Sequence, residues 1–443
     1  MRLRAMENWA RHIKNALWLL SDRGLALVLG FFVSAYVARV YGPEMFGIYS
    51  YGLALVYLFA VPGHAGLNAL VVKRLVENET DKSAIMGTSL AIKGLGFITG
   101  LLLLLGFAFY PGLHTSTERT LLAIMCVSLL IQPGYVLDFW FQAHYEARYQ
   151  ALSKQIALVL VSGMKVGAAA MGASILWIAG ATVMQALIAV VFLVLFYRGT
   201  ATADRQRWRF DGNEAISLLR QGGVVFLGTF FAAIYLKLDQ IMLKMVKGDA
   251  EVGVYAVAAT ISEAFYFIPV AITTAVFPRL IELRSENPNT YQHRTQQLLD
   301  GLASLALVLA ILVTLLATPF ISIVFGAQYS GAALILSIHI WAAVFIFMRA
   351  VFSKWIVAEG LIWFSVITQG AGALVNVALN AALIPSMGAL GAALATLLSY
   401  AAASYFALAF FVKTRSMFVM MTLALLAPFR YLSRKPELPP KRS

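Results

Sequence analysis

Runs of apolar residues long enough to cross a bilayer recur from one end of this chain to the other. Twelve can be read: Leu17–Val40, Ile48–Val72, Ala84–Tyr110, Leu121–Phe141, Ile156–Gly172, Trp177–Tyr197, Val224–Val246, Val252–Val276, Leu298–Val324, Ala332–Val357, Leu361–Ile384 and Gly388–Val412. A spanning helix needs about 20 apolar residues, whereas a barrel strand needs about 10 of alternating polarity. The runs therefore predict an all-α polytopic membrane protein with twelve transmembrane helices. Charged residues make up only 12% of the chain, about half the share of a soluble domain. That argues against a soluble enzyme and excludes a disordered chain. The single cysteine, Cys126, excludes a disulfide framework and a CxxC metal site. The first run is too long for a signal-peptide core and is expected to be retained.

Charge placement predicts sidedness. With the N-terminus inside, 24 of the 34 lysines and arginines fall on the cytoplasmic side. The opposite side holds only Arg39, Arg119, Lys244 and Lys247. This positive-inside asymmetry puts both termini in the cytoplasm. It also accounts for the net charge of +13, so nucleic acid is not an expected partner; the lipid bilayer is. The sequon Asn78-Glu79-Thr80 falls on the cytoplasmic side and reads as chance.

The chain divides into two sets of six spans. The expected organisation is an N-terminal lobe (1–198), a cytoplasmic linker (199–223), a C-terminal lobe (224–412) and a short interfacial helix with a basic tail (413–443). Met417–Phe429 is 13 residues, about 20 Å as a helix, which is too short to span. An internal echo supports two matching lobes. Val40, Gly42, Gly47 and Tyr49 recur 206 residues later as Val246, Gly248, Gly253 and Tyr255. A six-helix unit gives both copies the same orientation, a parallel repeat of the kind that builds alternating-access transporters. Loops on the non-cytoplasmic side are too short for an appended catalytic domain.

Several motifs then carry a resemblance. They are Ala38-Arg39-Val40-Tyr41-Gly42-Pro43-Glu44-Met45-Phe46-Gly47-Ile48-Tyr49, and Asp138-Phe139-Trp140-Phe141-Gln142 with Tyr149. With them go Asp239-Gln240-Ile241-Met242-Leu243 running to Gly253-Val254-Tyr255-Ala256, and Asn376 to Ala395 with Asn380, Ile384-Pro385, Gly388 and Gly391. Phe325-Gly326-Ala327-Gln328-Tyr329 is a weaker match. Ala143 stands where a glycine is usual. In this order the motifs resemble the polysaccharide transporters and O-antigen flippases of the multidrug/oligosaccharidyl-lipid/polysaccharide exporter superfamily. The resemblance implies two pseudo-symmetric six-helix lobes around a central cavity. It implies translocation of a polyprenyl-pyrophosphate-linked oligosaccharide across the bacterial inner membrane, without a cofactor and driven by a proton or sodium gradient. A polysaccharide polymerase and a chain-length regulator are the protein partners it suggests.

Charges within the spans point the same way. Arg23, Lys93, Lys165, Lys237 and Arg349 lie deep, while Lys354 is close enough to an end to snorkel. Facing lipid, five such cations would together cost about 12–17 kcal/mol on insertion scales, more than a typical net stability of about 5–15 kcal/mol. They are expected to line a wet cavity or to be paired. The candidate acids, Asp22, Asp138, Asp239 and Glu263, with Asp138 near a cytoplasmic end, are too few to pair them all. A surplus of cations suits a pyrophosphate and acidic sugars, and these five are the candidate substrate-binding residues. Asp239 and Glu263 are the candidate ion-coupling residues, with a structural ion pair to Lys237 or Arg349 as the alternative reading. His64 and His339 read as packing residues. Tyr135, Trp140, Trp355 and Trp363 suit an interfacial belt, with sugar stacking as the alternative. No catalytic or metal-binding set is expected.

Two other functions compete with a flippase. A multidrug/cation antiporter of the same superfamily conflicts with the cation surplus. A membrane-embedded polymerase or glycosyltransferase would need a sizeable external loop.

Overall fold

The computed structural model describes residues 2–77, 81–200 and 207–433. The sequon at 78–80, Arg205 and the tail from residue 434 lie outside the described residues. Among the described residues every regular element is helical. Eleven helical stretches are long and apolar enough to span a membrane. The first, Leu17–Glu77, covers 61 residues and is bent at Gly42, so it supplies two spans and makes twelve. The chain is a multi-pass membrane protein.

Contacts group the chain into two compact units: Met1–Val257 with Ile321–Ser330, and Ala258–Phe320 with Gly331–Ser443. The six-plus-six lobes expected from the sequence are a division by topology, which compactness does not address.

The first unit is built on α1 (Arg2–His64), α2 (Asn68–Glu77), α3 (Lys82–Ala108), α4 (Ser116–Ile131), α5 (Leu137–Ala143), α6 (Ala147–Ala170), α7 (Ile175–Gly199) and α8 (Gly212–Lys247). It also holds the first part of α9 (Asp249–Ala264). Gly42 bends α1 with φ 75° and ψ 173°. Its repeat partner Gly248 separates α8 from α9 with φ 88° and ψ −176°. That region of backbone space is essentially open to glycine alone. The sequence echo is thus an echo of backbone geometry.

Loops expected to share a side do meet. Tyr41 donates to the Ala173 carbonyl at 2.7 Å, Arg39 to the Ile323 carbonyl at 2.8 Å, and Tyr329 to the Ala38 carbonyl at 2.9 Å. Lys244 bridges Glu118 and Asp249 there as well. At the other end of the same helices, Arg74 pairs with Glu214 at 2.5 Å and Arg209 with Asp81 at 2.9 Å. The Ala147 amide donates to Asn15 at 2.8 Å. The described part of the linker is fixed rather than loose: Ser83 donates to the Arg207 carbonyl at 2.7 Å, and the Asp211 amide donates to Thr88 at 2.9 Å.

A core at this end gathers Leu67, Val71, Leu75, Met86, Phe139, Trp140 and Phe141. Trp140 is 1% exposed and stacks on His144 at 4.2 Å. It is a core residue rather than the interfacial one its place near a span end suggested.

The second unit contains α10 (Phe267–Glu286), most of α11 (Pro288–Val324), α12 (Gly331–His339), α13 (Ala342–Ala358), α14 (Ile362–Met387) and α15 (Ala389–Ala401). A π-helical turn, Ala402–Phe406, and α16 (Ala407–Phe410) complete the last span. The short apolar segment after it forms α17 (Arg415–Leu425) and α18 (Ala427–Ser433). Met417, Met421 and Ala424 bury against Leu299, Phe347, Phe352 and Leu408. Arg430 ties α18 to Asp300 at 2.5 Å.

Candidate functional site

α1, α6 and α7 enclose a cavity of about 300 Å³ in the first unit. Its polar lining comes from Ser34, Tyr49, Ser162, Lys165 and Gln185. Lys165 lies five residues before the end of α6 and lines the cavity. Its Nζ donates to the Tyr49 hydroxyl at 3.2 Å and lies 5.8 Å from that ring's centroid. Tyr49 and Thr182 share a hydrogen bond of 2.8 Å, and Thr182 donates to the Ile178 carbonyl at 2.9 Å. With the Thr182 proton committed to that carbonyl, Tyr49 is the donor of the pair. The donor chain runs Lys165, Tyr49, Thr182, Ile178 carbonyl. An ammonium has three N–H donors, so Lys165 keeps donors for a ligand. Among the described residues no carboxylate pairs with it.

The other candidate cations are placed differently. Arg23 is exposed on α1. Lys93 is 3% exposed, with its Nζ 5.2 Å from the Phe139 ring centroid and 5.5 Å from that of Phe97. Asp138, within electrostatic reach of Lys93, pairs with Lys154 at 2.7 Å. Lys93 and Lys165 therefore sit in two different environments, one within reach of Asp138 and one open to the cavity. Lys237 on α8 is half-buried.

Arg349, in the second unit, is 8% exposed. Its Nη1 donates to the Ala403 carbonyl at 3.2 Å, inside the π-helical turn, and among the described residues its Nη2 has no hydrogen-bond partner. A π turn leaves carbonyls out of the regular ladder, and the guanidinium serves one of them.

Of the candidate acids, Asp239 is 2% exposed. Its carboxylate accepts from the Tyr255 hydroxyl and, at 2.7 Å, from the Gln240 amide. Glu263 is half-buried on α9. In α14, Asn380 donates to Asn376 at 2.9 Å, and both are fully buried. His64 packs edge-on against Phe97 at 5.5 Å.

Sequence reasoning missed the roles of Tyr49, Thr182 and Gln185 at the cavity. Only Tyr49 carried a signal, its place in the repeat.

Residues 12–284 match the polysaccharide biosynthesis protein family. The chain belongs to that family. This member is 26% identical over 386 residues to the probable flippase AglR of Haloferax volcanii, covering 84% of this chain and 77% of that one. It is 21% identical over 286 residues to a putative O-antigen transporter of Shigella flexneri, covering 61% of this chain and 67% of that one. Among solved structures, the lipid II flippase MurJ in an inward closed conformation is similar with a TM-score of 0.71 at 16% identity, covering 96% of this chain and 94% of that one. An inward-facing multidrug resistance MATE family transporter gives a TM-score of 0.68 at 14% identity, covering 95% of this chain and 100% of that one. The family member thus has the fold shared by MurJ and the MATE transporters.

Proposed function

We propose that the protein is a flippase, not an enzyme, that moves a polyprenyl-pyrophosphate-linked oligosaccharide from the cytoplasmic to the periplasmic leaflet of the bacterial inner membrane. Its termini are cytoplasmic in this reading. Family membership and the names of its relatives support a role in polysaccharide transport. The observation that carries the reading is the Lys165 cavity. A cation without a carboxylate partner, flanked by hydroxyl and amide groups, suits a phosphate with sugar hydroxyls beside it.

Arg23, Lys93 and Lys237 are the further proposed substrate-binding cations of the first unit, and Arg349 is the proposed one of the second, acting through contact where exposed and through their field where buried. Asp239 and Glu263 are the proposed groups that couple transport to a proton or sodium gradient, since carboxylates within a span mark ion pathways. A multidrug/cation antiporter is the second reading, but an open lysine disfavours a cationic drug by like-charge repulsion. A polysaccharide polymerase and a chain-length regulator would act on the product.

The test is a deletion strain. It should accumulate lipid-linked glycan on the cytoplasmic leaflet, with export restored by the wild-type gene and not by Lys165→Gln present at equal level in the membrane. Unchanged leaflet distribution in the deletion strain would contradict the function.

A further inference from the structure

The turn repeated in the two halves is also where their backbones meet. Gly47 and Gly253 are related by the offset of 206 residues, and so are Pro43 and Asp249. A Cβ on Gly47 would overlap the Asp249 carbonyl, and one on Gly253 would overlap the Pro43 carbonyl. The contact is reciprocal. Each glycine lies against the residue that follows the other half's Gly42 or Gly248. Two helix starts related by a local two-fold axis produce this pattern, and backbones so close can exchange Cα–H···O contacts.

Two residues beyond each glycine, about 3 Å along the helix, stands the repeated tyrosine. Tyr49 accepts from the Lys165 ammonium. Tyr255, fully buried, donates to the Asp239 carboxylate. Equivalent positions therefore hold opposite charges. A phenol hydroxyl is both donor and acceptor, so one residue type serves both halves. The same side chain in each half arises from the repeat, and the charge it holds is where the halves have diverged.

We propose that Tyr49 and Tyr255 are paired positioning residues: Tyr49 fixes the Lys165 ammonium for an anionic headgroup, Tyr255 fixes the Asp239 carboxylate for the coupling cation, and the Gly47–Gly253 crossing ties the two together. The roles of Lys165 and Asp239 rest on the flippase reading above; the positioning rests on the geometry. Close-packed backbones shift together rather than deform independently. A displacement of one helix start at either charge is therefore delivered to the other.

The experiment uses the full chain in proteoliposomes and a fluorescent farnesyl-diphosphate-linked N-acetylglucosamine as the probe, with initial rates measured against probe concentration under an imposed ion gradient. Tyr49→Phe should raise the half-saturating concentration about tenfold, the scale of one hydrogen bond to a charged group, with the maximal rate kept. Tyr255→Phe should lower the maximal rate with half-saturation kept. Tyr49→Phe should add nothing to Lys165→Gln, and Tyr255→Phe nothing to Asp239→Asn. Because the crossing couples the two sites, Tyr49→Phe with Asp239→Asn should depart from the product of the single effects; independent combination there would contradict the coupling. Additive effects within either contact pair, or the same loss in both parameters for both tyrosine variants, would overturn the proposal. Lys165→Gln without effect would instead count against the flippase reading, so the two failures are distinguishable.

Discussion

Lys244 is ion-paired with Glu118, the acidic member of the capping box that Thr115 begins at the start of α4. The Thr115 amide donates to Glu118 Oε2 at 2.6 Å, and the other carboxylate oxygen meets the ammonium. Asp249, at the start of α9, takes a second contact from Lys244 at 2.5 Å. One lysine thus joins the starts of two helices, and the Glu118 side chain is 2% exposed.

Removing that lysine leaves two neighbouring carboxylates without their cation. Lys244→Ala should cost about 3–5 kcal/mol, the usual penalty for breaking a buried pair from one side. Thermal unfolding in detergent is the readout. Lys244→Ala with Glu118→Gln should recover part of the loss, because one of the stranded charges is gone. A Lys244→Ala protein that melts with the wild type would show the node to be idle.

The glycine crossing makes a sharper steric prediction. Gly47→Ala and Gly253→Ala each place a methyl group on a backbone carbonyl, which cannot rotate away. Each should cost about 1–3 kcal/mol or more by overpacking. Gly94→Ala is the control, since a Cβ there meets nothing within 4 Å. It should be neutral or gain up to about 1 kcal/mol from helix propensity. Folded yield and melting temperature should separate the two classes, and equal behaviour would contradict the close approach.

His114, in the loop between α3 and α4, makes stability depend on pH. Burial holds its imidazole below the usual histidine range, and Nε2 shares a 2.9 Å hydrogen bond with Tyr51. The unfolded chain therefore takes up a proton before the folded one does. The stabilising contribution is complete above the unfolded value of about 6.5 and is lost as pH falls from there toward the lower folded value. Melting temperature should drop with acidification across that window, and less so in His114→Gln. An identical acid slope in the variant would remove His114 as the cause.

The spans, their alternation and the repeat were legible because they depend on position along the chain. A run of apolar residues fixes where a helix crosses, and a glycine at a fixed offset fixes where it bends. Rotation about the helix axis was not legible. Lys93 and Lys165 read alike in sequence, each the tenth residue of its run, yet one packs between two phenylalanine rings and the other opens to a cavity. Trp140 was misread for the same reason, since nearness to a span end says nothing about which neighbour the ring faces. The tyrosine clamps were hidden because each needs two different helices, and the first joins helices distant in sequence. Lys165 is 116 residues from Tyr49.

The most direct test of the central claim is leaflet exchange by the purified full-length protein in liposomes. A fluorescent polyprenyl-diphosphate-linked oligosaccharide should cross much faster than a fluorescent phosphatidylcholine, and Lys165→Gln should erase the difference. Equal rates for the two lipids, or a Lys165→Gln protein that still prefers the diphosphate, would contradict it.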